Sequence, residues 1–107
     1  MLLDPNLKRQ LDSLCRSRIE VARAKPADDF DRVTWNYSSS FDFWYGHVVG
    51  ELFVQCYEIA RQYYKENYGQ GFTHAHNTAI TALLAGHARD LRDALIRLKK
   101  YPITTET

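Results

Sequence analysis

Tyr68-Gly69-Gln70-Gly71-Phe72 separates two long stretches of helical patterning, about residues 40–67 and about residues 73–101. A spacer this short and glycine-bearing folds the second stretch back along the first, which predicts a long antiparallel helical hairpin. Each arm is about 40 Å long at the usual rise per residue. The first arm is aromatic on more than one side. A hairpin with that much apolar surface finishes its core against further helices, so the expected fold class is all-α, with an additional N-terminal helix and dimerisation into a helical bundle.

The arm over about 40–67 (α2) carries one stripe at Phe41, Tyr45, Val48, Leu52, Cys56, Ile59 and Tyr63. A second stripe beside it is Trp44, Val49, Phe53, Tyr57, Ala60 and Tyr64. Two adjacent stripes predict two packing neighbours and make α2 the spine of the fold. Its polar side is His47, Glu51, Glu58, Arg61 and Lys65. Ser39 and Asp42 have the spacing of a capping box at its start. The arm over about 73–101 (α3) starts at the N-cap candidate Thr73. It carries Ile80, Leu84, His87, Leu91, Leu95 and Leu98, with a neighbouring stripe of small residues, Ala75, Ala79, Ala82 and Gly86. Small residues admit a close helix or bulky rings from α2. The basic last turn, Arg97, Lys99 and Lys100, suits a helix C-terminus, and Pro102 stops the helix.

Upstream, Asp4-Pro5 is a strong helix start: an acidic cap, then proline at the first helical position. Leu7, Leu11, Leu14, Ile19 and Ala22 follow at helical spacing, giving α1 over about 4–24. Lys25-Pro26 ends it. Residues 26–39 read as an irregular connector laid across the helices with Phe30 and Trp35 as anchors, and residues 102–107 as a loose tail. The whole of 1–107 is one helical domain, the limit that 107 residues allow.

The net charge of +1 offers no global basic field for nucleic acid or anionic lipid. Basic residues gather in α1 and at the end of α3, while α2 is acidic through Asp42, Glu51, Glu58 and Glu66. Helices of opposite charge favour each other, or a twofold partner. The first residues lack the pattern of a signal peptide, and no stretch approaches the apolar length of a membrane span. Cys15 and Cys56 lie in separate helices without metal-type spacing. They are expected to be reduced, buried thiols of a cytoplasmic protein, a disulfide between the helices being the lesser alternative.

The four histidines, His47, His74, His76 and His87, invite a metal reading. In the expected register His76 is level with Tyr64, His87 with Phe53 and His47 with Asp93. Those heights are too far apart for one site with metal–nitrogen bonds near ~2 Å. No metal and no cofactor are therefore expected. His47 and Glu51 stand four apart on one face and read as a solvated pair rather than an acid–base couple. His87 sits in an apolar stripe. The expectation is a core histidine bonded to Glu51 or a tyrosine hydroxyl; the alternative is a polar group in a pocket or at a subunit seam whose protonation near neutral pH acts as a switch, in which case replacement by leucine raises stability and abolishes any pH dependence of assembly. The sequence holds no glycine-rich phosphate loop, CxxC pair, HExxH or GxSxG.

The leading expectation is a small non-catalytic interaction or adaptor protein, acting as a homo-oligomer and on an unidentified protein partner. Its contact patch is Trp44, Phe53, Tyr57 and Tyr64. One alternative is a nucleic-acid-binding regulator using Lys8, Arg9, Arg16 and Arg23 with the end of α3. The other is a helical-bundle pocket for a metal or small ligand around Glu51 and His87. No membrane partner is expected.

Overall fold

The computed structural model describes residues 3–24, 39–69 and 73–96. They form three α-helices: α1 (Pro5–Ala24), α2 (Ser40–Tyr68) and α3 (His74–Leu95). No strand occurs among the described residues, and the fold is all-α. The connector over 26–39 with Phe30 and Trp35 falls, apart from Ser39, outside the described residues. So do the expected last turn of α3 with Arg97, Leu98, Lys99 and Lys100, and the tail.

Each helix starts on a residue suited to the role. The Asp4 carboxylate accepts the Asn6 N–H (2.8 Å), and its carbonyl accepts the Lys8 N–H (2.8 Å). Ser39 Oγ accepts the Asp42 N–H at 3.1 Å. Thr73 Oγ1 accepts the His76 N–H, while His76 Nδ1 accepts the Thr73 N–H at 3.1 Å. That is a capping box with histidine in the place glutamate usually takes. Gly69 closes α2 in the left-handed region (φ 61°), where a side chain would be strained, and its N–H donates to the Lys65 carbonyl.

Leu7, Leu11, Cys15, Ile19 and Ala22 of α1 are buried against both other helices, and α2 also packs on α3. Burial of each such leucine stabilises the fold by about 1.5–3 kcal/mol. On α2 the buried line is Phe41, Trp44, Val48, Leu52, Cys56, Ala60 and Tyr64. This line draws on both stripes seen in the sequence. Tyr45, Val49 and Phe53 are left half-buried on one flank, Ile59 and Tyr63 on the other. A repeat of mostly four residues creeps round the helix, so the inward face moves gradually from one stripe to the other.

Tyr64 ties the three helices together. Its hydroxyl accepts the Asp4 N–H at 3.1 Å, and its ring stacks on His76 with centroids 4.1 Å apart. The Tyr63 hydroxyl donates to one Asp4 oxygen at 2.9 Å and the Tyr68 hydroxyl donates to the other. At the opposite end, Arg18 Nε donates to Glu51 at 2.8 Å. These contacts fix α1 running opposite to α2.

The hydrogen bond from Tyr68, then those from Tyr63 and the Asn6 and Leu7 amides, hold the Asp4 carboxyl below the usual carboxylate range. The same carboxylate pushes Tyr68 up to about 12. A carboxyl depressed in the folded state adds stability above its unfolded pKa of about 4, and that stability is lost as pH falls through the folded value. The raised tyrosine contributes below its unfolded pKa of about 10 and loses that contribution as pH climbs towards about 12. Asp4→Ala is therefore expected to lower the melting temperature at pH 7 more than at pH 3. Equal losses at the two values would show that the carboxylate adds nothing beyond the helix cap.

Candidate functional site

Apolar side chains from all three helices border a cavity of about 330 Å³. The buried Ile19 of α1, Leu52 of α2 and Leu91 of α3 form its floor, together with His87. Its walls are the half-buried Tyr45, Val49 and Phe53 of α2 and, from α3, Thr81, Leu84, Ala85 and Ala88. The site is thus a groove between α2 and α3 with α1 behind it. Its size falls within the range of small-ligand pockets, and a lining of apolar groups with a few polar ones is their usual chemistry.

His87 is the polar group of the floor, and its partner is on α1. His87 Nε2 lies 2.7 Å from Asp12 Oδ1, with both side chains largely buried. Asp12 also accepts from Lys8 Nζ at 2.9 Å. Burial raises the Asp12 carboxyl, but the hydrogen bonds from His87 and Lys8 together outweigh it and hold the group below its ordinary value. Behind this pair, the fully buried thiols of Cys15 and Cys56 lie near enough to act on one another. The neighbouring Cys56 lowers the Cys15 thiol, while Cys15 and burial push Cys56 far above the ordinary thiol range.

The expected partners of His87 are thereby corrected: it bonds neither Glu51 nor a tyrosine. Glu51 is held by Arg18 across the α1–α2 seam and does not line the groove. Glu51 and His87 are therefore not one polar site. His47 packs edge-on against Trp44 with ring centroids 5.4 Å apart. The most buried histidine is His76, only 1% exposed, inside the cap of α3. Among the described residues no group of three or more histidine, cysteine or acidic side chains is arranged to hold a metal ion.

The expected contact patch is divided. Trp44 and Tyr64 are 4% and 6% exposed and belong to the core, because the inward face of α2 passes through both. Phe53 and Tyr57 are half-buried at the surface, with Phe53 in the groove wall. Of the basic residues on α1, Lys8 pairs with Asp12, Arg23 pairs with Glu20, Arg9 bonds Asn6, and Arg16 is exposed. Neighbouring side chains in α1 itself thus engage three of these cations.

The Asp12–His87 pair was beyond sequence reasoning, although each partner left a trace. Asp12 directly follows Leu11 of the buried stripe, and His87 interrupts a run of leucines. Two polar groups lodged beside two apolar stripes are candidates for each other. Comparison with known protein families, curated proteins and solved structures finds no match to this chain, so the site rests on its own geometry.

Because His87 satisfies a largely buried carboxylate, His87→Leu is expected to destabilise the fold by about 1–3 kcal/mol, whereas the switch reading predicts a gain. Adding Asp12→Ala should recover part of the loss. Urea unfolding of both variants measures it, and a stabilised His87→Leu would mean that the pair contributes nothing net.

Proposed function

We propose that this chain is a small, non-catalytic, cytoplasmic protein–protein interaction module that works as a homodimer. In this reading α2 and α3 form an antiparallel hairpin, and the hairpins of two copies complete a four-helix bundle across the α2–α3 groove. The observation that carries the reading is the groove itself, walled by half-exposed Tyr45, Val49, Phe53 and Leu84.

A second copy suits the groove because one face carries both halves of a contact. Large side chains (Tyr45, Phe53 and Tyr57) project from α2, while α3 offers Thr81, Ala82, Ala85 and Gly86. In a twofold interface each surface meets its own mate, so the ridge of one α2 lies on the small residues of the other α3. Charge points the same way: exposed Asp42 on α2 would face exposed Arg89 and Arg92 on α3. The glycines support a close approach. A methyl group at Gly46, Gly50 or Gly86 would touch nothing within 4 Å among the described residues, so no contact between those residues requires them.

A second reading, a binding protein for a compact apolar molecule, is favoured by the buried floor of the cavity and by His87 within it.

Light scattering after size-exclusion chromatography is expected to give twice the chain mass. Phe53→Lys should weaken the dimer about tenfold or more while leaving the circular dichroism helical. A wild-type monomer at all concentrations would overturn the homodimer. A monomer that enhances the fluorescence of 1-anilinonaphthalene-8-sulfonate, with the effect lost in Phe53→Lys, would support the second reading.

A further inference from the structure

The buried thiols of Cys15 and Cys56 have no part in the interaction surface, and their placement has chemistry of its own. They come from different helices, and each is fully buried. Contacts on both sides of Cys15 fix the register: Asp4 with Tyr63 and Tyr64 at one end, Arg18 with Glu51 at the other. Counting inward from those ends brings Cys15 level with Cys56 to within a helical turn, with both thiols on the buried faces of their helices and near enough to act on one another. We propose that Cys15 and Cys56 are a redox-sensitive dithiol that a small disulfide oxidises to a covalent bridge between α1 and α2.

The fold also supplies a route. Ile19 and Leu52, on the cavity floor, lie one helical turn from Cys15 and Cys56 respectively. His87, the polar group of that floor, is close enough to act electrostatically on Cys15. In the dissociated chain, where no second copy covers the groove, a small reagent entering it thus comes within one layer of side chains of the sulfurs. The Asp12–His87 pair beside them is a site through which a thiol proton can leave.

The reaction balances as two successive exchanges. The Cys15 thiolate attacks one sulfur of the small disulfide, making a mixed disulfide and expelling one thiolate. The Cys56 sulfur then attacks Cys15, forming the bridge and expelling the second. The protons lost by Cys15 and Cys56 finish on the two released thiols, and the small disulfide takes up the two electrons. Closure brings the sulfurs to about 2.05 Å and ties two helices already held in register. Bridges of this kind in reducing compartments are characteristically transient and regulatory.

The test uses the wild-type chain with bis(2-hydroxyethyl) disulfide. After exposure, the protein is denatured, alkylated with iodoacetamide and weighed intact. The expected product is a monomeric chain with neither thiol alkylated, two hydrogens lighter than the reduced chain, and with a Cys15–Cys56 cross-linked peptide after digestion. Its melting temperature should rise by roughly 10 °C or more and return on reduction with dithiothreitol. The proposal is overturned if both thiols remain open to alkylation, or if the only products are mixed disulfides or bridges between chains. It is also overturned if the bridge appears only when the chain is oxidised in denaturant. Alkylation of the untreated chain in denaturant should modify both cysteines.

Discussion

The narrow apolar stripe of α1 is the constraint on which the rest of the structure depends. Leu7, Leu11, Cys15 and Ile19 recur every four residues and enter the seam between α2 and α3. A helix inserted this way must be held in rotation and in height, because a shift of one residue turns its stripe by about 100°. Asp4 at one end and Arg18 at the other supply the height, each by bonding to α2. The Asp12–His87 bond supplies the rotation, by tying the flank of α1 to α3. Polar contacts here do little to drive collapse; they select one arrangement from several that would bury similar apolar area.

With α1 behind the seam, the opposite side of α2 and α3 lacks an equivalent cover from the described helices. The groove follows from that asymmetry. Its floor consists of residues already buried by α1, and its walls are the flanks that the two longer helices do not turn inwards. The same geometry brings titratable and nucleophilic groups together. A histidine on α3, an aspartate and a cysteine on α1 and a cysteine on α2 lie near one another between the two ends that Asp4 and Arg18 pin.

The helix starts were legible from the chain, since caps are local. Asp4, Ser39 and Thr73 each declare themselves within a few residues, and each accepts a backbone amide from the first turn of its helix. The stripe of α1 was equally plain. On α2 the two aromatic stripes were visible but their division was not. Periodicity reports a face relative to the helix axis, whereas burial depends on where the neighbours lie along a curving contact line. Trp44 and Tyr64 were consequently assigned to the surface, although the core line passes through them. The partner of His87 was hidden for a different reason. Its bond to Asp12 spans 75 residues, and nothing local distinguishes it from a bond to Glu51.

The tyrosine cluster and the glycines of α2 lie at opposite ends of one helix, which gives that helix an uneven stiffness. Towards Tyr68 the backbone is held by Asp4, by the stack on His76 and by the left-handed cap at Gly69. Gly46 and Gly50 each weaken the other half by up to ~1 kcal/mol relative to alanine. Local opening of a helix proceeds most readily where propensity and packing are both lowest. The half of α2 that carries Tyr45 and Val49 is thus intrinsically the weaker helix former, so the shape of the groove wall depends on the burial of Trp44 and Val48 and on the Arg18–Glu51 bond rather than on propensity.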